Sequence, residues 1–356
     1  MTHQVPQRAQ NKFAVVLPVY NVESYIRECL DSIQAQTHQN FTVFAVNDGT
    51  KDNSGVILDE YAKQDHRFVI IHKHNAGVSS ARNVALEAIE KDNSFDFVYF
   101  LDPDDKISPL FMETFVRELS TENADYGVCS FQSFTMHGKY NEPKQVHEKA
   151  ILNNDEIAMQ YFSISKDTLL RAEENAATAG FLCNRVFKAT KIKGLRFNEK
   201  LRSCEDRDFF VRLLPSLNKG VLLPNVLFFY RMRISSLSHS KNAQGHDFFV
   251  FENFFNKRFE FSKAIQIGIQ AEYLSAVTRE LNLRLISDRS HAEKLEYFKY
   301  CQDVIKQKFD FPIDHSVRAR LSRIRLGYTF CYLFSKYREH RKKIKSQTTH
   351  QKHFYP

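Results

Sequence analysis

Three carboxylates directly follow an apolar run near residue 100. Residues 95–101 are mostly aromatic or branched, and Asp102, Asp104 and Asp105 come next with a proline between the first two. Carboxylate oxygens are the ligands that Mg²⁺ and Mn²⁺ prefer, and such a cation can neutralise a departing diphosphate. The same acids can instead cap a helix that begins near Ser108. The sequence therefore predicts either a divalent-cation site or a helix start at this point.

Strand and helix patterns alternate through the first hundred residues. Apolar runs predict strands at residues 13–17, 41–46, 68–71 and 95–101, with Pro18 ending the first, and apolar spacings of three and four predict helices between them. This alternation is typical of a mainly parallel sheet, which binds ligands beyond the carboxyl ends of its strands. The residues that follow these four strands are therefore expected at one edge of the sheet: Tyr20, Asn21, Asn47, Asp48, Asn75, Gly77, Asp102, Asp104 and Asp105.

Composition excludes several classes of protein. Of the 356 residues, 43% are hydrophobic, and 11 Gly with 9 Pro exclude collagen-like, linker-dominated and largely disordered chains. The six cysteines show no metal-ligand spacing, and no stretch approaches the roughly 20 apolar residues of a membrane-spanning helix. No Walker loop or GxGxxG motif is present, which argues against nucleotide hydrolysis and dinucleotide redox chemistry. The polar N-terminus lacks a signal-peptide pattern, so a cytoplasmic protein with reduced thiols is expected.

Four short motifs occur in a fixed order and together resemble one enzyme family. They are Pro18-Val19-Tyr20-Asn21, Asn47-Asp48-Gly49-Thr50, the segment from Asn75 to Asn83, and Leu101-Asp102-Pro103-Asp104-Asp105. The set resembles the nucleotide-sugar-binding domain of glycosyltransferase family 2, whose members are inverting transferases of GT-A fold. The resemblance implies a GT-A domain over residues 1–240, with a nucleotide-binding half at 12–120 and an acceptor half at 121–240. A helical region is expected over residues 241–356.

The resemblance also implies how the nucleotide would be held. Tyr20, with the turn at Pro18, would pack on the face of a uracil, and the Asp48 carboxylate would accept a hydrogen bond from the uracil imide N–H. Asn75 and Gly77 would let the backbone approach the base and the ribose closely.

The diphosphate side of the expected donor site involves three further residues. Arg82 would orient the acidic groups or reach the nucleotide. Asp102 resembles the carboxylate on the ribose side, and Asp104 resembles the one that contacts a divalent cation, Mn²⁺ or Mg²⁺.

A second acidic cluster, Glu205-Asp206, precedes an aromatic segment. In similar enzymes such a pair lies across the donor site, where a carboxylate can take the proton from an acceptor hydroxyl. The resemblance implies Asp206 as the base and Glu205 as its partner on the acceptor side, although the two roles can be exchanged. The alternative interpretation is a helix start, where the helix dipole favours acidic residues.

A third cluster runs from Tyr230 to His239 and resembles a flexible family loop that closes over the diphosphate. Arg233 is suited to bind phosphate oxygens, and Ser236 or Ser238 can donate hydrogen bonds to them. His239 is interpreted as a surface residue, with metal ligation as the alternative.

The net charge of +8 is concentrated near the C-terminus. Ten lysines and arginines lie between Ser316 and Lys345 against a single acid, Glu339, and apolar residues are interleaved with them. A basic amphipathic segment of this kind suits the anionic inner leaflet of a membrane. The alternatives are a solvated basic face docked on the body and a nucleic-acid-binding patch.

The combined interpretation is an inverting, metal-dependent glycosyltransferase. The expected donor is a UDP-sugar, and the expected acceptor is a hydroxyl of a glycan or lipid-linked molecule in cell-surface polysaccharide synthesis, such as capsule, lipopolysaccharide or teichoic acid. The enzyme is expected in the cytoplasm, at the inner face of the plasma membrane, which it would contact through residues 316–345. No nucleic acid partner is expected, and the sequence does not predict whether the protein forms oligomers. The alternative is a catalytically silent GT-A-like scaffold that binds nucleotide or glycan at the membrane.

Overall fold

The computed structural model describes residues 11–144, 146–162, 182–201, 203–233, 246–257, 260–287 and 289–306. These residues form two compact units, one ending at residue 233 and the other beginning at residue 246. Ser236, Ser238, His239 and the basic segment 316–345 lie outside the described residues.

The first unit begins with the predicted alternation of strands and helices. Its first four strands are parallel and adjacent, in the order β3-β2-β1-β4. The strands are β1 (Phe13–Val19), β2 (Phe41–Asn47), β3 (Phe68–His72) and β4 (Phe97–Phe100). The intervening helices are α1 (Glu23–Gln34), α2 (Ser54–Gln64) and α3 (Val78–Asp92). Every residue of β1 is buried, because a central parallel strand is covered on both faces.

Pro18 lies inside β1, so the predicted end of that strand is wrong. β1 pairs with β4 only as far as Val16, whereas its pairing with β2 continues to Val19. The Val16 carbonyl accepts from Leu101 on the β4 side. Since alternate residues of a strand bond to the same side, Pro18 turns its missing N–H toward the side where pairing has ended. The proline therefore costs the sheet no hydrogen bond.

The second half of the sheet is mixed in direction. β8 (Arg185–Lys188) lies antiparallel between β4 and β6 (Tyr126–Thr135), and β9 (Lys219–Met232) runs parallel to β6. Two short strands, β5 (Lys106–Ile107) and β7 (Ala150–Asn153), pair antiparallel with β9. The helices of this half are α4 (Phe111–Glu122), α5 (Asn154–Tyr161), α6 (Ala189–Ile192) and α7 (Glu205–Leu213). The result is a GT-A-like α/β arrangement in which the predicted parallel strands carry a mixed extension.

The second unit is helical over its described residues, as the sequence predicts. It contains α8 (His246–Asn256), α9 (Lys263–Ile286) and α10 (His291–Lys306). Phe251, Phe254 and Phe255 are buried, so these phenylalanines of α8 form core. No helix in the described ranges combines the length and apolar composition needed to cross a membrane.

Candidate functional site

The residues that end β1 present one exposed aromatic ring at the carboxyl edge of the sheet. Tyr20 is 42% exposed, whereas Pro18 is buried within the strand. Asn21 adopts a left-handed conformation (φ 50°), and its backbone N–H donates to Oγ1 of Thr50 at 2.8 Å. This contact ties the loop after β1 to the loop after β2. Tyr20 is thus exposed enough to stack on a planar ligand, and its contact with a uracil stays a prediction.

The Asp48 carboxylate is buried at the end of β2 and organises the loop that follows β3. It accepts hydrogen bonds from the backbone N–H groups of Ala76 at 3.0 Å and Gly77 at 2.8 Å, and it pairs with the Lys73 ammonium. The Asn75 side chain donates to the Asp48 carbonyl at 2.9 Å. The Asp48 carboxylate therefore has three donors, namely Ala76, Gly77 and Lys73. Only Gly77 donates to Oδ2, so this oxygen can accept one more N–H.

Gly77 makes this arrangement possible through its backbone conformation. Its φ of 95° and ψ of 164° lie in a region that is essentially restricted to glycine. In this conformation it directs its N–H at Asp48 and begins α3 at the next residue.

Asp102, Asp104 and Asp105 form a loop directly after β4, and β9 holds that loop in place. The Arg231 backbone N–H donates to Oδ1 of Asp105 at 2.7 Å, and Nε of Arg231 donates to the Asp104 carbonyl at 2.7 Å. The other end of the Arg231 guanidinium lies 3.0 Å from Oε2 of Glu28 on α1. Arg231 is only 4% exposed, so it acts as a buried clamp on the acidic loop. No role for Arg231 or Glu28 was predicted from the sequence, and the position of Arg231 two residues before Arg233 was the available signal.

Arg233 lies at the end of the described first unit and forms an ion pair with the acidic loop. Its Nε is 2.6 Å from Oδ2 of Asp104. The side chains of Arg233 and Asp104 are 21% and 12% exposed, so the pair is largely shielded from water. The residue predicted to bind phosphate thus meets the residue predicted to bind a metal.

Burial and mutual repulsion make the acidic loop a strong candidate for a cation. Burial, followed by the charge of Asp102, raises the pKa of Asp104, although Arg233 and Arg231 oppose the shift. Burial, together with Asp104 and Asp102, raises the pKa of Asp105 well above its usual value. A divalent cation would relieve this repulsion, and carboxylate oxygens suit Mg²⁺ or Mn²⁺.

One compact set of potential ligand atoms in the described residues comprises Asp102, Asp105 and Cys183. One atom from each lies within 4.8 Å of the others. The Cys183 thiol donates to Oδ2 of Asp102 at 3.3 Å. Burial, followed by the negative charge of Asp102, raises the pKa of the Cys183 thiol well above its usual value. A protonated thiol is a poor ligand for a hard cation, so the two carboxylates fit Mg²⁺ or Mn²⁺ and Cys183 fits the role of their hydrogen-bond donor. No spacing pattern in the sequence pointed to Cys183.

Arg82 on α3 links the acidic loop to the second predicted acidic cluster. Its guanidinium donates to Oδ1 of Asp102 at 2.9 Å and to Oε1 of Glu205 at 2.8 Å, across 20 and 123 residues of chain. The side chain is 5% exposed and lies 5.1 Å from the centroid of the Phe197 ring. Burial opposes its charge, but Asp102 and Glu205 raise the pKa of Arg82, so it stays cationic. Both predicted acidic clusters therefore belong to one site.

The Glu205-Asp206 pair stands at the first turn of α7. Cys204, which caps this helix, adopts a left-handed conformation with a φ of 60° that is unusual for a residue other than glycine. Burial, followed by the charge of Glu205, raises the pKa of Asp206 to about 6. Oδ1 of Asp206 accepts from the Arg207 backbone N–H at 2.8 Å. A carboxylate with this pKa is deprotonated at neutral pH and is a better proton acceptor than an exposed aspartate.

Aromatic packing fixes α7 beside the acidic loop. Phe209 of α7 stacks on Phe197 with ring centroids 4.1 Å apart, and Phe100 at the end of β4 meets both rings edge-on. The Asn83 side chain, adjacent to Arg82, donates to the Phe197 carbonyl at 3.0 Å and accepts from its N–H at 2.8 Å. Two consecutive residues of α3 thus contact both parts of the site. Arg82 bonds Asp102 and Glu205, and Asn83 fixes the backbone of Phe197, whose ring packs on α7.

The structure places the predicted residues in two groups. One group surrounds the loops after β1, β2 and β3, and it contains Pro18, Tyr20, Asp48, Asn75 and Gly77. In the other group Arg82 contacts Asp102 and Glu205, and Arg233 contacts Asp104. Asp206 belongs to this group because it follows Glu205 in α7. Their individual roles stay predictions, and Ser236 lies outside the described residues.

Two sequence comparisons connect this site with known proteins. A 231-residue stretch is 35% identical to glycosyltransferase GlyA of Streptococcus pneumoniae serotype 4, covering 64% of this chain and 32% of that protein. A 226-residue stretch is 28% identical to the teichoic acid poly(glycerol phosphate) polymerase of Staphylococcus epidermidis, covering 62% and 28% of the two chains. The chain thus spans about a third or less of the length of these two relatives.

A solved structure and a family profile also resemble this chain. The crystal structure of Staphylococcus aureus TarS 1–349 in complex with UDP-GlcNAc superposes with a TM-score of 0.62 at 18% identity, covering 93% of this chain and 92% of that one. This likeness shows the GT-A-like fold. Residues 14–187 match the profile of glycosyl transferase family 2. Through residues 14–187, just under half of its length, the chain therefore resembles glycosyl transferase family 2.

Proposed function

We propose that this protein is an inverting glycosyltransferase that moves a sugar from a UDP-sugar to a hydroxyl of a growing cell-surface glycan or lipid-linked acceptor. The observation that carries the proposal is the Arg82 bridge between Asp102 and Glu205. It connects a carboxylate loop suited to a diphosphate and its cation with a carboxylate pair suited to deprotonate a hydroxyl. The family match supports the reaction class. The UDP-GlcNAc bound to TarS and the teichoic acid polymerase relative support the donor and acceptor classes.

The proposed reaction is a single displacement. Asp206 takes the proton from the acceptor hydroxyl, and its pKa of about 6 makes it a competent base at neutral pH. The acceptor oxygen forms a bond to the anomeric carbon as the bond from that carbon to the diphosphate oxygen breaks. The electron pair of the broken bond leaves with UDP. Attack opposite the leaving group inverts the anomeric configuration.

The donor would be held by the two groups of residues at the sheet edge. Tyr20 stacks on the uracil, Asp48 accepts the imide N–H with its remaining acceptor capacity, and Arg233 binds phosphate oxygens. Asp102 and Asp105 of the compact ligand set would hold Mn²⁺ or Mg²⁺, and Asp104 would join them once Arg233 turns to the diphosphate. When bound, that cation neutralises charge on the departing diphosphate.

Calorimetric titration with UDP, and with GDP and CDP as controls, tests the donor assignment. We expect Mn²⁺-dependent binding that is selective for UDP and is lost in Asp104→Ala. A second assay with a panel of UDP-sugars, read by NMR of the anomeric proton, tests transfer and inversion. UDP binding without turnover of any donor would favour the nucleotide-binding scaffold, and no binding of any nucleotide would overturn the donor assignment.

A further inference from the structure

The Tyr140 ring is exposed yet fixed in position near the acidic loop. It is 43% exposed, stacks on Phe134 with centroids 5.5 Å apart, and meets the Phe229 ring edge-on at 5.9 Å. The Lys106 ammonium, adjacent in sequence to Asp105, lies 4.6 Å from the Phe134 centroid and 5.6 Å from that of Tyr140. We name Tyr140, Phe134, Phe229 and Lys106 the Tyr140 platform.

Backbone hydrogen bonds hold the segment that carries Tyr140 against β6. Tyr140 forms an antiparallel bridge with Phe134, and the Asn141 N–H donates to the Ser133 carbonyl at 2.9 Å. The Asn141 side chain also donates to Oγ of Ser133 at 2.9 Å. A ring held this way loses little freedom when a ligand covers it, which favours binding.

The platform is continuous with the candidate active site through a single side chain. The Arg231 guanidinium lies 4.4 Å from the Phe134 centroid, and Nε of the same side chain bonds the Asp104 carbonyl. Phe134 and Arg231 are register partners on the parallel strands β6 and β9, so their side chains share one face of the sheet. Phe229, two residues before Arg231, lies on that face as well. The exposed ring is therefore separated from the acidic loop by one arginine and one phenylalanine.

Charged groups beside the ring complete a surface suited to a sugar. Nζ of Lys106 lies 3.4 Å from Oε2 of Glu28, and these side chains are 25% and 51% exposed. The C–H face of a pyranose is apolar and its rim carries hydroxyls, which are both donors and acceptors. An aromatic surface with an ammonium and a carboxylate at its border matches that pattern.

We propose that the Tyr140 platform binds a pyranose ring of the acceptor glycan, with Tyr140 stacking on the sugar and Lys106 and Glu28 bonding its hydroxyls. This proposal rests on the proposed function for the identity of its ligand as the acceptor. Its site is distinct from the predicted uracil site at Tyr20.

Saturation-transfer difference NMR tests the platform without a donor. The probes are methyl β-D-glucopyranoside, methyl β-D-galactopyranoside and methyl N-acetyl-β-D-glucosaminide, each titrated against the full chain. For the best probe we expect Tyr140→Ala to weaken binding about tenfold and Tyr140→Phe to change it by less than about twofold. Ile151→Ala is the matched control, since Ile151 is 42% exposed on β7 and lies outside the platform. Tyr140→Leu replaces Tyr140→Ala if the alanine variant does not fold.

Each outcome bears on one proposal separately. Absence of saccharide binding to the unmodified protein, or equal binding by the Tyr140 variants, overturns the platform. Loss of a dimer in Tyr140→Ala by analytical ultracentrifugation, with saccharide binding unchanged, would assign the surface to self-association instead. UDP titration of the same variants should be unaffected by Tyr140→Ala. Failure of every variant to bind UDP would overturn the proposed function while the saccharide result stands on its own.

Discussion

Nε of Arg233 lies 2.6 Å from Oδ2 of Asp104, so the proposed phosphate-binding arginine neutralises the proposed metal-binding carboxylate. Both side chains are largely buried, so removing either partner would leave an uncompensated charge on the other. A cation at Asp104 and a diphosphate at Arg233 would exchange this internal pair for two ligand contacts. Donor and metal are therefore expected to bind in a coupled manner.

Arg233→Ala tests this coupling. Without the competing guanidinium, we expect Asp104 to bind Mn²⁺ about tenfold more tightly in the absence of nucleotide. We also expect UDP to bind about tenfold more weakly, because a phosphate contact is lost. Calorimetric titration of Mn²⁺ alone measures the first effect, and titration of UDP in the presence of saturating Mn²⁺ measures the second. Arg27→Ala is the control, since Arg27 pairs with Glu60 on an exposed surface. Equal Mn²⁺ affinity in Arg233→Ala and the unmodified protein would contradict the competition.

Arg82→Lys tests whether the bridge between the two acidic clusters needs a guanidinium. Lysine keeps the charge, but its ammonium cannot span Asp102 and Glu205 in the same planar geometry. We expect kcat for sugar transfer to fall about 100-fold while the protein stays folded. Arg67→Lys is the matched control, because Arg67 forms a comparable pair with Asp65 outside the site. Activity that survives Arg82→Lys at the control's level would show that charge alone suffices.

The pH dependence of transfer tests Asp206 as the base. Its pKa in the folded protein is about 6, and only the carboxylate form accepts a proton. The rate constant kcat should therefore rise with pH through about 6 and level off above it. Asp206→Asn should lower kcat by about 10²- to 10⁴-fold and leave UDP affinity unchanged. If the residual activity of Asp206→Asn kept the same acidic limb, the titrating group would be a different residue.

The local parts of the fold could be predicted from the sequence because they depend on local patterns. Apolar runs and spacing identified β1 to β4 and the helices between them, and the rule on carboxyl ends placed Asp48 and Asp102 at one edge. Pro18 was misjudged because its tolerance depends on where pairing with β4 ends, which is a property of the assembled sheet.

The contacts that join the site could not be predicted, because they span long stretches of chain. Arg82 meets Glu205 across 123 residues, and the Arg231 backbone meets Asp105 across 126. These contacts exist because β8 inserts between β4 and β6, and β9 pairs with β6. Periodicity does not encode that strand order. For the same reason, no local signal pointed to Cys183, which reaches Asp102 only once β4 and β8 are paired.

Gly49→Ala tests how tightly the donor loops depend on close backbone packing. Gly49 has a φ of 69°, and a Cβ there would lie 2.7 Å from the backbone nitrogen of Asn75, so the loop after β3 would have to move. We expect a loss of about 2–4 kcal/mol in the free energy of unfolding, measured by urea denaturation, because a steric clash adds to the left-handed strain. Gly194→Ala is the matched control, since Gly194 has a φ of 78° with nothing within 4 Å of the added atom. Gly194→Ala should lower the free energy of unfolding by about 1–2 kcal/mol, from backbone strain alone.

UDP binding should weaken in Gly49→Ala and persist in Gly194→Ala, because only the first substitution displaces the loop around Asp48. Equal losses of stability in the two variants would show that the contact between the loops after β2 and β3 is not tight.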